Sequence, residues 1–502
     1  MLVLFGIPVH NLTQRDVVAR IIELARSGQP SQIVTANLDF ALQAWRDPEM
    51  HRILFDADLV VADGTPLVWF SRLFGPNLKE RVAGSDLVAP LARQANRHSL
   101  SLYALGAGPG IAARALAKLQ QENPGLLVAG ADSPPPAPLA RMDHESMLKK
   151  IEDAQPDILL AAFGAPKQEK WIRMHLNKWN VPVSIGVGAT LDFIAGEHRR
   201  APRWFQTMGL EWFWRMAREP RRLARRYLSD FLFLGGMLAR LAFLRLKPSE
   251  AAAAWTPDPT RVAELGGALT AFRPLKTTEK AESFMRVIEP VALERPLVVD
   301  VSGFRWLNSL ELGVLTQLAK ACRRGGRRLV LCSAPPRIRE LLHLFRLDHY
   351  LELPRSQAEL ESTLEILRQP AENGRAYVRT ADDRLHVLLP AEFGRDQVPA
   401  LRQEVLRHWR TGRVNGIAID GSRTKFIDGP AARWISEIGG KVVRSAGTLW
   451  LRGFKESILS FIRQEGLGRN GKCAPSPGWK SRRSVRPHPA PAPAVAMENA
   501  TS

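Results

Sequence analysis

Short apolar runs alternate with segments of helical periodicity along the first 198 residues. The apolar runs predict buried strands at 31–36, 57–62, 99–105, 126–130, 157–163 and 182–187. Between them, apolar residues recur at helical spacing over 39–47, 85–97, 110–121 and 145–154. Strands that alternate with helices predict an α/β domain, in which a mainly parallel sheet has helices on both faces.

Glycine-containing loops follow several of these strands. The stretch Phe163-Gly164-Ala165-Pro166 leads into a helical pattern whose first turn carries Lys167, Gln168 and Glu169. A helix that begins at the carboxyl edge of a parallel sheet points its free N–H groups and positive dipole end at phosphorylated ligands. Two further loops of this edge contain Gly106, Gly108, Gly188 and Asp192. The arrangement is Rossmann-like, although the segment 163–172 taken alone fits a capped surface helix equally well.

Composition limits the possible classes of protein. The chain has 502 residues, enough for about three domains, and 45% of them are apolar, as in ordinary globular proteins. Cys322, Cys332 and Cys473 form no closely spaced pair, which predicts neither a disulfide framework nor a zinc site and fits a reducing compartment. The N-terminus lacks the basic region and long apolar run of a signal peptide. No run of about eighteen apolar residues occurs, so we expect no transmembrane helix.

The formal charge of +20 is distributed unevenly. Nine arginines lie between residues 199 and 226, and an apolar segment rich in Phe and Leu follows at 231–245. Arg215, Arg218, Arg222 and Arg225 fall within one arc at helical spacing, and Pro220 is expected to restart the helix. This combination is typical of a helix lying in an anionic membrane interface. Nucleic acid would satisfy the charge but does not require the apolar segment, so we predict membrane association and no nucleic-acid binding.

Changes in composition divide the chain. We predict an α/β domain at 1–198, a basic amphipathic helical appendage at 199–247, a linker at 248–264, two small α/β domains at 265–370 and 374–468, and a disordered tail at 469–502. The two small domains are an internal repeat, because each contains a strand, a turn, a helix and a second strand in the same order. Asn308 and Asp428 hold equivalent places in the two copies.

Six separated motifs in residues 1–245 resemble the WecG/TagA/CpsF family of bacterial glycosyltransferases. They are Thr35-Ala36-Asn37, Ala62-Asp63-Gly64, Glu80-Arg81-Val82-Ala83-Gly84, the segment 163–172, Gly186-Val187-Gly188 with Asp192, and the arginine-rich motifs at 200–222. The resemblance implies a metal-independent transferase without a cofactor, acting on a lipid-linked acceptor. It also implies roles for Asp63 as the catalytic base, for Thr35, Asn37, Arg81 and Gln168 at the site, and for Arg215, Arg222 and Arg225 as arginines delivered to it.

The residues themselves support this chemistry but also allow structural roles. Transfer of a sugar needs a base for the acceptor hydroxyl and positive charge for the leaving diphosphate. Asp63 follows a buried strand and so should lie over the site, but it could instead cap the helix after Gly64. Asn37 could likewise cap the helix that begins at Leu38. Structural roles are also open to the remaining candidates: an ion pair of Arg81 with Glu80 or Asp86, a solvated first turn for Lys167 and Glu169, and a helix cap for Asp192.

One motif suggests a metal site that we do not expect. Asp56-Ala57-Asp58 spells the Asp-x-Asp sequence with which many glycosyltransferases hold a divalent cation. Here the motif precedes a strand, which would place it at the opposite edge of a parallel sheet from the ligand loops. We therefore interpret Asp56 and Asp58 as structural and predict no metal ligands.

Both small domains resemble STAS domains, the family of bacterial anti-sigma-factor antagonists. These domains carry an Asp-Ser-Ser-Gly turn at the start of a helix, and the second serine is phosphorylated. Leu310 and Pro430 occupy that position here, so neither copy can be phosphorylated at it. Ser309 is the one nearby hydroxyl. We expect a protein-interaction surface that binds a partner, or else a structural module, and an enzyme domain that keeps its basal rate when the linker is cut.

Together these interpretations predict an inverting hexosyltransferase. It would move an N-acetylhexosamine or its uronic acid from a UDP-sugar donor to a polyprenyl-pyrophosphate-linked acceptor, in surface or extracellular polysaccharide biosynthesis. It would be cytoplasmic and peripheral on the inner face of the bacterial cytoplasmic membrane. The alternative is a non-catalytic STAS-type scaffold with a decayed transferase domain, against which the intact set of Thr35, Asn37, Asp63, Arg81 and Gln168 argues.

Overall fold

The fold is seen in a computed structural model that forms two compact units, Met1–Leu364 and Glu365–Ser502. The structure describes residues 1–176, 179–198, 200–202, 204–205, 211–218, 220–247, 255–324, 327–368, 376–381, 384–390, 392–410, 416–421, 424, 426–444, 448–452, 454, 456–466, 479–481 and 495–498. The first unit contains the predicted transferase domain and the first small domain together.

A parallel six-stranded sheet forms the centre of residues 1–198. Its strand order is β4-β3-β8-β7-β5-β6, and every neighbouring pair is parallel. The strands are β3 (Ser31–Ala36), β4 (Leu59–Ala62), β5 (Ser101–Gly106), β6 (Leu127–Asp132), β7 (Ile158–Ala162) and β8 (Val183–Gly186). All six predicted strands are confirmed, and no end shifts by more than two residues. An N-terminal hairpin of β1 (Leu2–Leu4) and β2 (Ile7–Val9) was not predicted.

Helices cover both faces of this sheet, as the alternating pattern predicted. They are α1 (Gln14–Ser27), α2 (Leu38–Arg46), α3 (Pro48–Asp56), α4 (Thr65–Phe74), α5 (Gly84–Arg97), α6 (Ile111–Glu122), α7 (His144–Ala154), α8 (Lys167–His175) and α9 (Thr190–Ala195). Ile33 and Val34 show how one strand serves both faces: they belong to different apolar clusters, because neighbouring side chains of a strand point to opposite sides. The α/β fold class is thereby confirmed.

The appendage consists of α10 (Glu211–Arg218) and α11 (Pro220–Leu246), and Pro220 begins a helix as predicted. Met237, Leu241 and Leu244 on α11 are buried against the first unit, whereas the opposite face of the helix is exposed. The segment Leu223–Leu246 is long and apolar enough to cross a membrane, by length and composition only. The expectation that no such helix exists is therefore corrected. That expectation was based on the lack of an uninterrupted apolar run, whereas a membrane-spanning helix tolerates a few charged residues.

The first small domain has a parallel sheet of order β12-β11-β10-β9. Its strands are β9 (Ala268–Ala271), β10 (Leu297–Asp300), β11 (Leu329–Cys332) and β12 (Leu351–Glu352). Its helices are α12 (Pro259–Glu264), α13 (Thr278–Glu294), α14 (Ser309–Arg324), α15 (Pro336–Leu344) and α16 (Gln357–Arg368). Helix α12 lies within the predicted linker, and its Val262 is fully buried, so this part of the linker is packed; residues 248–254 lie outside the described part of the chain.

The second unit repeats the strand–turn–helix–strand pattern. Its strands are β13 (Tyr377–Ala381), β14 (Arg384–Leu388), β15 (Glu392–Phe393), β16 (Gly416–Asp420), β17 (Phe426–Ile427), β18 (Thr448–Arg452), β19 (Trp479–Ser481) and β20 (Val495–Glu498), with helices α17 (Val398–Arg410), α18 (Gly429–Arg444) and α19 (Glu456–Gly466). Strand β20 pairs with β18 and β19. The predicted disorder of the tail is therefore wrong for β19 and β20.

The internal repeat is visible in two equivalent helix caps. Asn308 Oδ1 accepts hydrogen bonds from the N–H groups of Leu310 (2.9 Å) and Glu311 (3.0 Å) at the start of α14. Asp428 Oδ1 accepts one from the N–H of Ala431 (2.9 Å) at the start of α18. Both side chains satisfy N–H groups that a helix leaves without intrahelical partners, which explains why the two copies share a short polar residue at this position.

Candidate functional site

Two predicted site residues, Thr35 and Asp63, lie together with Gly84 where β3 and β4 end. The N–H of Asp63 donates to Ala36 O over 2.7 Å, which joins the loop after β4 to the loop after β3. The carboxylate of Asp63 accepts a hydrogen bond from the N–H of Gly84 (3.4 Å). A Cβ placed on Gly84 would lie 3.4 Å from Thr35 Oγ1, so the start of α5 passes directly beside Thr35. The structure thus brings Thr35, Asp63 and Gly84 together at the carboxyl edge of the sheet.

Asn37 has a structural role in this cluster. Its side-chain oxygen accepts a hydrogen bond from the N–H of Phe40 (3.3 Å) and caps α2, which is the alternative that the sequence left open. Asp63 does not cap α4, since the capping position is Gly64 and no side chain there accepts a hydrogen bond. The role of Asp63 as the catalytic base and a catalytic role for Asn37 both stay predictions.

Arg81 belongs to a four-residue ion-pair network. Its guanidinium contacts Asp86 (3.2 Å) and Glu211 (3.4 Å). Arg200 contacts the same two carboxylates, with 3.4 Å between its Nε and Glu211. The predicted alternative of an ion pair with Asp86 is thus confirmed. Because Glu211 begins α10, the network also fastens the appendage to the transferase domain, and a direct substrate contact of Arg81 stays a prediction.

Gln168 joins two of the edge loops. Its side-chain oxygen accepts hydrogen bonds from the N–H groups of Gly164 and Gly188, both at 3.1 Å. Its side-chain nitrogen donates to Glu169 Oε1 over 2.7 Å. A Cβ on Gly186 would lie only 2.5 Å from that nitrogen, so glycine is required for Gln168 to reach both loops. The geometry makes Gln168 a positioning residue that fixes the loops after β7 and β8.

Glu169 is fully buried, contrary to the interpretation of a solvated first turn. Burial is the main cause that raises its pKa from 4.5 to about 7, while the hydrogen bond from Gln168 opposes the shift. Lys167 differs, because its ammonium donates to Ala137 O (3.3 Å) and lies over the ring of Phe163. Neither side chain is placed beside Asp63 by a contact in the described residues.

The raised pKa of Glu169 predicts a pH dependence of stability. Between about pH 4.5 and pH 7 the folded protein binds more protons than the unfolded chain, so the free energy of unfolding should fall as the pH rises. We expect this carboxyl to account for a loss of up to about 3 kcal/mol by pH 8. Glu169→Gln should remove that part of the slope in denaturant unfolding measured from pH 5 to pH 8. Glu152→Gln, on the exposed face of α7, is the control; a wild-type slope in Glu169→Gln would contradict the assignment.

The remaining edge loops carry the other predicted residues. Gly106 has φ 102°, and a Cβ there would lie 2.9 Å from Ala162 O, so the loop after β5 packs closely on the end of β7. Gly188 has φ 54° and open space around its Cβ position, while Gly108 lies in the loop before α6. Asp192 lies in the first turn of α9 but is not its cap, and burial is the largest cause that raises its pKa. These loops share one edge of the sheet with Asp63.

The comparisons with known proteins concern the same region. Residues 2–247 match the Glycosyl transferase WecG/TagA/CpsF family, and residues 271–364 match the STAS domain. A Bacillus spizizenii protein named N-acetylglucosaminyldiphosphoundecaprenol N-acetyl-beta-D-mannosaminyltransferase is 31% identical over 197 residues, which are 39% of this chain and 74% of that protein. The chain belongs to the WecG/TagA/CpsF family.

Two further proteins are similar to parts of this chain. A Staphylococcus aureus (strain MRSA252) protein of the same name is 29% identical over 224 residues, covering 44% of this chain and 86% of that protein. A solved structure described as "Structure of the Anti-Sigma Factor Antagonist SpoIIAA in its Unphosphorylated Form" is 15% identical, with a TM-score of 0.17, and covers 18% of this chain and 81% of that chain. The family matches over residues 2–247 and 271–364 identify the chain as a WecG/TagA/CpsF glycosyltransferase that carries a STAS domain.

In this family member the Asp-x-Asp residues lie at the amino edge of the sheet. Asp58 Oδ2 accepts a hydrogen bond from the N–H of Gln32 (2.8 Å) just before β4. Asp56 contacts Arg52 (2.7 Å), Arg173 (3.0 Å) and Arg323 (2.7 Å). Three guanidinium groups around one carboxylate are unsuitable surroundings for a divalent cation, because they occupy and neutralise the oxygens that the cation would need. The geometry supports a structural role for both aspartates.

A chelator experiment follows from this geometry. If arginines and helix N-termini neutralise the leaving diphosphate, transfer should keep nearly its full rate in excess EDTA. The measurement is the initial rate of nucleotide release before and after dialysis against EDTA. A magnesium-dependent glycosyltransferase assayed in the same buffer is the control for complete chelation. Loss of activity that Mg²⁺ or Mn²⁺ restores would contradict metal-independent transfer.

The structure describes some of the arginine side chains of the appendage. The side chains of Arg215 and Arg222 lie outside the described part of the structure, and Arg225 is exposed on α11. Sequence reasoning missed Arg226, whose guanidinium contacts Asp39 on α2 at 2.8 Å. Asp39 follows Asn37 by two residues, so this ion pair ties α11 to the helix that begins at the site. Nothing in the spacing of the nine arginines distinguished Arg226, since its partner is 187 positions away.

Proposed function

We propose that this chain transfers an N-acetylhexosamine from a UDP-sugar to an acceptor sugar carried on a polyprenyl diphosphate. The observation that carries the proposal is the position of Asp63, held beside Thr35 and Gly84 at the carboxyl edge of a parallel sheet. That edge is where open α/β folds bind nucleotides and phosphates. The names of the similar Bacillus and Staphylococcus proteins favour N-acetylmannosamine as the sugar and a lipid-diphosphate-linked N-acetylglucosamine as the acceptor.

In the proposed reaction the Asp63 carboxylate accepts the proton of the attacking acceptor hydroxyl. The bond from that oxygen to the sugar's anomeric carbon forms as the bond from this carbon to the UDP oxygen breaks, which inverts the configuration. The departing diphosphate gains negative charge, so positive groups at the edge should stabilise the transition state more than the bound donor. The N-terminus of α8 and the arginines of the appendage are the groups available for this purpose.

We further propose that the protein works in the cytoplasm, peripheral on the inner face of the cytoplasmic membrane, in the assembly of a surface or extracellular polysaccharide. The exposed apolar face of α11 and the arginines that precede it suit an anionic bilayer surface. A lipid-linked acceptor would reach the site from that surface. The buried face of α11 packs on the first unit, which favours a helix lying on the membrane over one that crosses it.

The test is nucleotide release from a panel of UDP-sugars, with a short-chain lipid-diphosphate N-acetylglucosamine as the acceptor. We expect release to depend on both substrates and to be fastest with UDP-N-acetylmannosamine, with one sugar added to the acceptor by mass spectrometry. Omitting the lipid acceptor is the control for simple hydrolysis of the donor. Absence of transfer from every donor of the panel would overturn the proposal.

A further inference from the structure

The turn that begins helix α14 of the STAS domain is buried against the transferase domain. Ser309 is only 2% exposed. A Cβ placed on Gly75, just after α4, would collide with Ser309 Oγ and lie 3.2 Å from the Ser309 nitrogen. One turn later, a Cβ on Gly313 would collide with the carbonyl oxygen of Met1 and lie 3.2 Å from the nitrogen of Leu2. The first two turns of α14 therefore lie directly on α4 and β1.

The same surface continues along the later turns of α14. The ammonium group of Lys320 donates to Ala57 O over 2.8 Å, and the guanidinium of Arg323 contacts Asp56 at 2.7 Å. Asp56 is the last residue of α3, and Ala57 directly follows it. The whole length of α14 thus contacts the transferase domain, through close backbone approach at its start and through charged groups near its end.

A buried aromatic contact adds a second attachment. The ring of Tyr350 stacks on Phe55 with 3.6 Å between the ring centroids, and its hydroxyl lies 2.8 Å from His51 Nδ1. Burial is the main cause that lowers the pKa of His51 to about 3, so this imidazole is neutral at physiological pH. Together with α14, this contact forms a docking surface that combines apolar, polar and charged groups.

Helix α4 connects this docking surface with the candidate site. It begins at Thr65, directly after Asp63 and Gly64, and ends at Phe74, a length of about 15 Å. Its Phe70 is buried and stacks on Phe5, with 3.7 Å between ring centroids. A Cβ on the neighbouring Gly6 would lie 2.7 Å from the carbonyl oxygen of Phe345 in the STAS domain. One end of α4 therefore lies against the STAS domain, and the other end directly follows the candidate base.

We propose that the STAS domain binds the transferase domain of its own chain, and that α4 couples this contact to Asp63. The turn at which related domains are phosphorylated is thereby covered by the same polypeptide. Opening the contact at Ser309 should shift α4 and slow sugar transfer. The coupling rests on the proposed function, whereas the docking does not. This replaces the expectation that an enzyme domain separated from the STAS domain keeps its basal rate, because the cut would expose a face that the two domains share.

A cross-link tests the docking without any activity. In full-length protein carrying Gly75→Cys and Ser309→Cys, the two Cβ atoms would lie about 3.2 Å apart, close to the spacing of a disulfide. Mild oxidation should join the two tryptic peptides that contain these cysteines, as detected by mass spectrometry. Each single variant, oxidised in the same way, is the control for pairing with the native cysteines. Absence of the joined peptide in the double variant would overturn the docking.

A buried charge tests the coupling. Ser309→Glu places a carboxylate in the covered turn, where it can find no solvent, and should separate α14 from α4. We expect faster hydrogen exchange at residues 1–4 and 65–75 and a kcat at least about tenfold lower, with the KM for the donor little changed. Ser283→Glu, on the exposed face of α13 in the same domain, should change neither quantity.

The readouts separate the possible failures. Faster exchange with a wild-type kcat would overturn the coupling, and unchanged exchange would overturn the docking. If Ser309→Glu fails to fold, Lys320→Met serves instead, because it removes one hydrogen bond to the transferase domain; we expect the same changes, each a few-fold. If the wild-type protein transfers no sugar, the proposed function fails, while the cross-link and the exchange rates still decide whether the domains dock.

Discussion

Asp63→Asn should lower the turnover number at least about a hundredfold, the usual scale for losing a general base. The asparagine amide keeps the size and shape of the carboxylate and can still accept the hydrogen bond from the N–H of Gly84. It cannot accept the proton of the acceptor hydroxyl. Binding of the donor should therefore change by less than about threefold, because the substitution removes a function required only during the reaction.

The measurements are kcat from nucleotide release and donor affinity from titration in the absence of acceptor. Asp153→Asn, an exposed aspartate on α7, is the matched control and should behave as wild type. The melting temperature of each variant shows whether the cluster of Thr35, Asp63 and Gly84 stays folded. A near-normal turnover in Asp63→Asn would exclude this residue as the base and leave the edge of the sheet without an assigned one.

The sequence predicted the strands of the sheet well, and also the edge at which the candidate residues lie. Both depend only on residues that are close in sequence. A buried parallel strand is a short continuous apolar run, and the loop that follows it must lie at the carboxyl edge. Knowing that Asp63 follows 59–62 and that Gln168 follows 158–162 was therefore enough to place both residues on the same side of the molecule. The repeat in the two small domains could be recognised for the same reason, because each capping residue directly precedes the helix that it caps.

The sequence could not predict the contacts that decide what each polar residue does. Arg81 pairs with Glu211, 130 positions later, and no periodicity connects them. Gln168 joins two loops through backbone N–H groups. Because any residue could supply such a group, the sequence did not indicate these partners. The hairpin at 2–9 has strands of three residues, too short for an alternating pattern to be recognised. Its first strand lies against α14 of the STAS domain, a contact that the local sequence does not show.

The joining of the transferase and STAS domains is the largest difference between sequence and structure. A composition shift at 248–264 indicated separate modules, whereas residues 1–364 form one compact unit. It contained no information about Met1–Leu2 under α14 or Phe55 under Tyr350, which are contacts between residues about 300 positions apart. Glycines at positions 6, 75 and 313 were the only signal, and their meaning appears only when the opposing backbone is known.

The exposed face of α11 should determine binding to anionic vesicles. Leu232 is 68% and Phe243 is 72% exposed, so neither contributes to the packing of the first unit. Burying each of these side chains in a membrane interface contributes about 1.5–3 kcal/mol, so replacing both with Ser should weaken vesicle binding at least about a hundredfold. Transfer to a short-chain, water-soluble acceptor should stay near the wild-type rate, because the buried face with Met237 and Leu241 is unchanged.

Sedimentation with vesicles of defined anionic lipid content measures this binding. Leu127→Ser removes another exposed leucine, from the edge strand β6 on a different part of the first unit, and should leave binding unchanged. High salt separates the two forces involved: charge attraction is screened at about 1 M salt, whereas apolar burial persists. Wild-type protein that sediments in low salt but is released completely in high salt would show that the arginines alone bind the surface. In that case Leu232 and Phe243 would not insert into the bilayer.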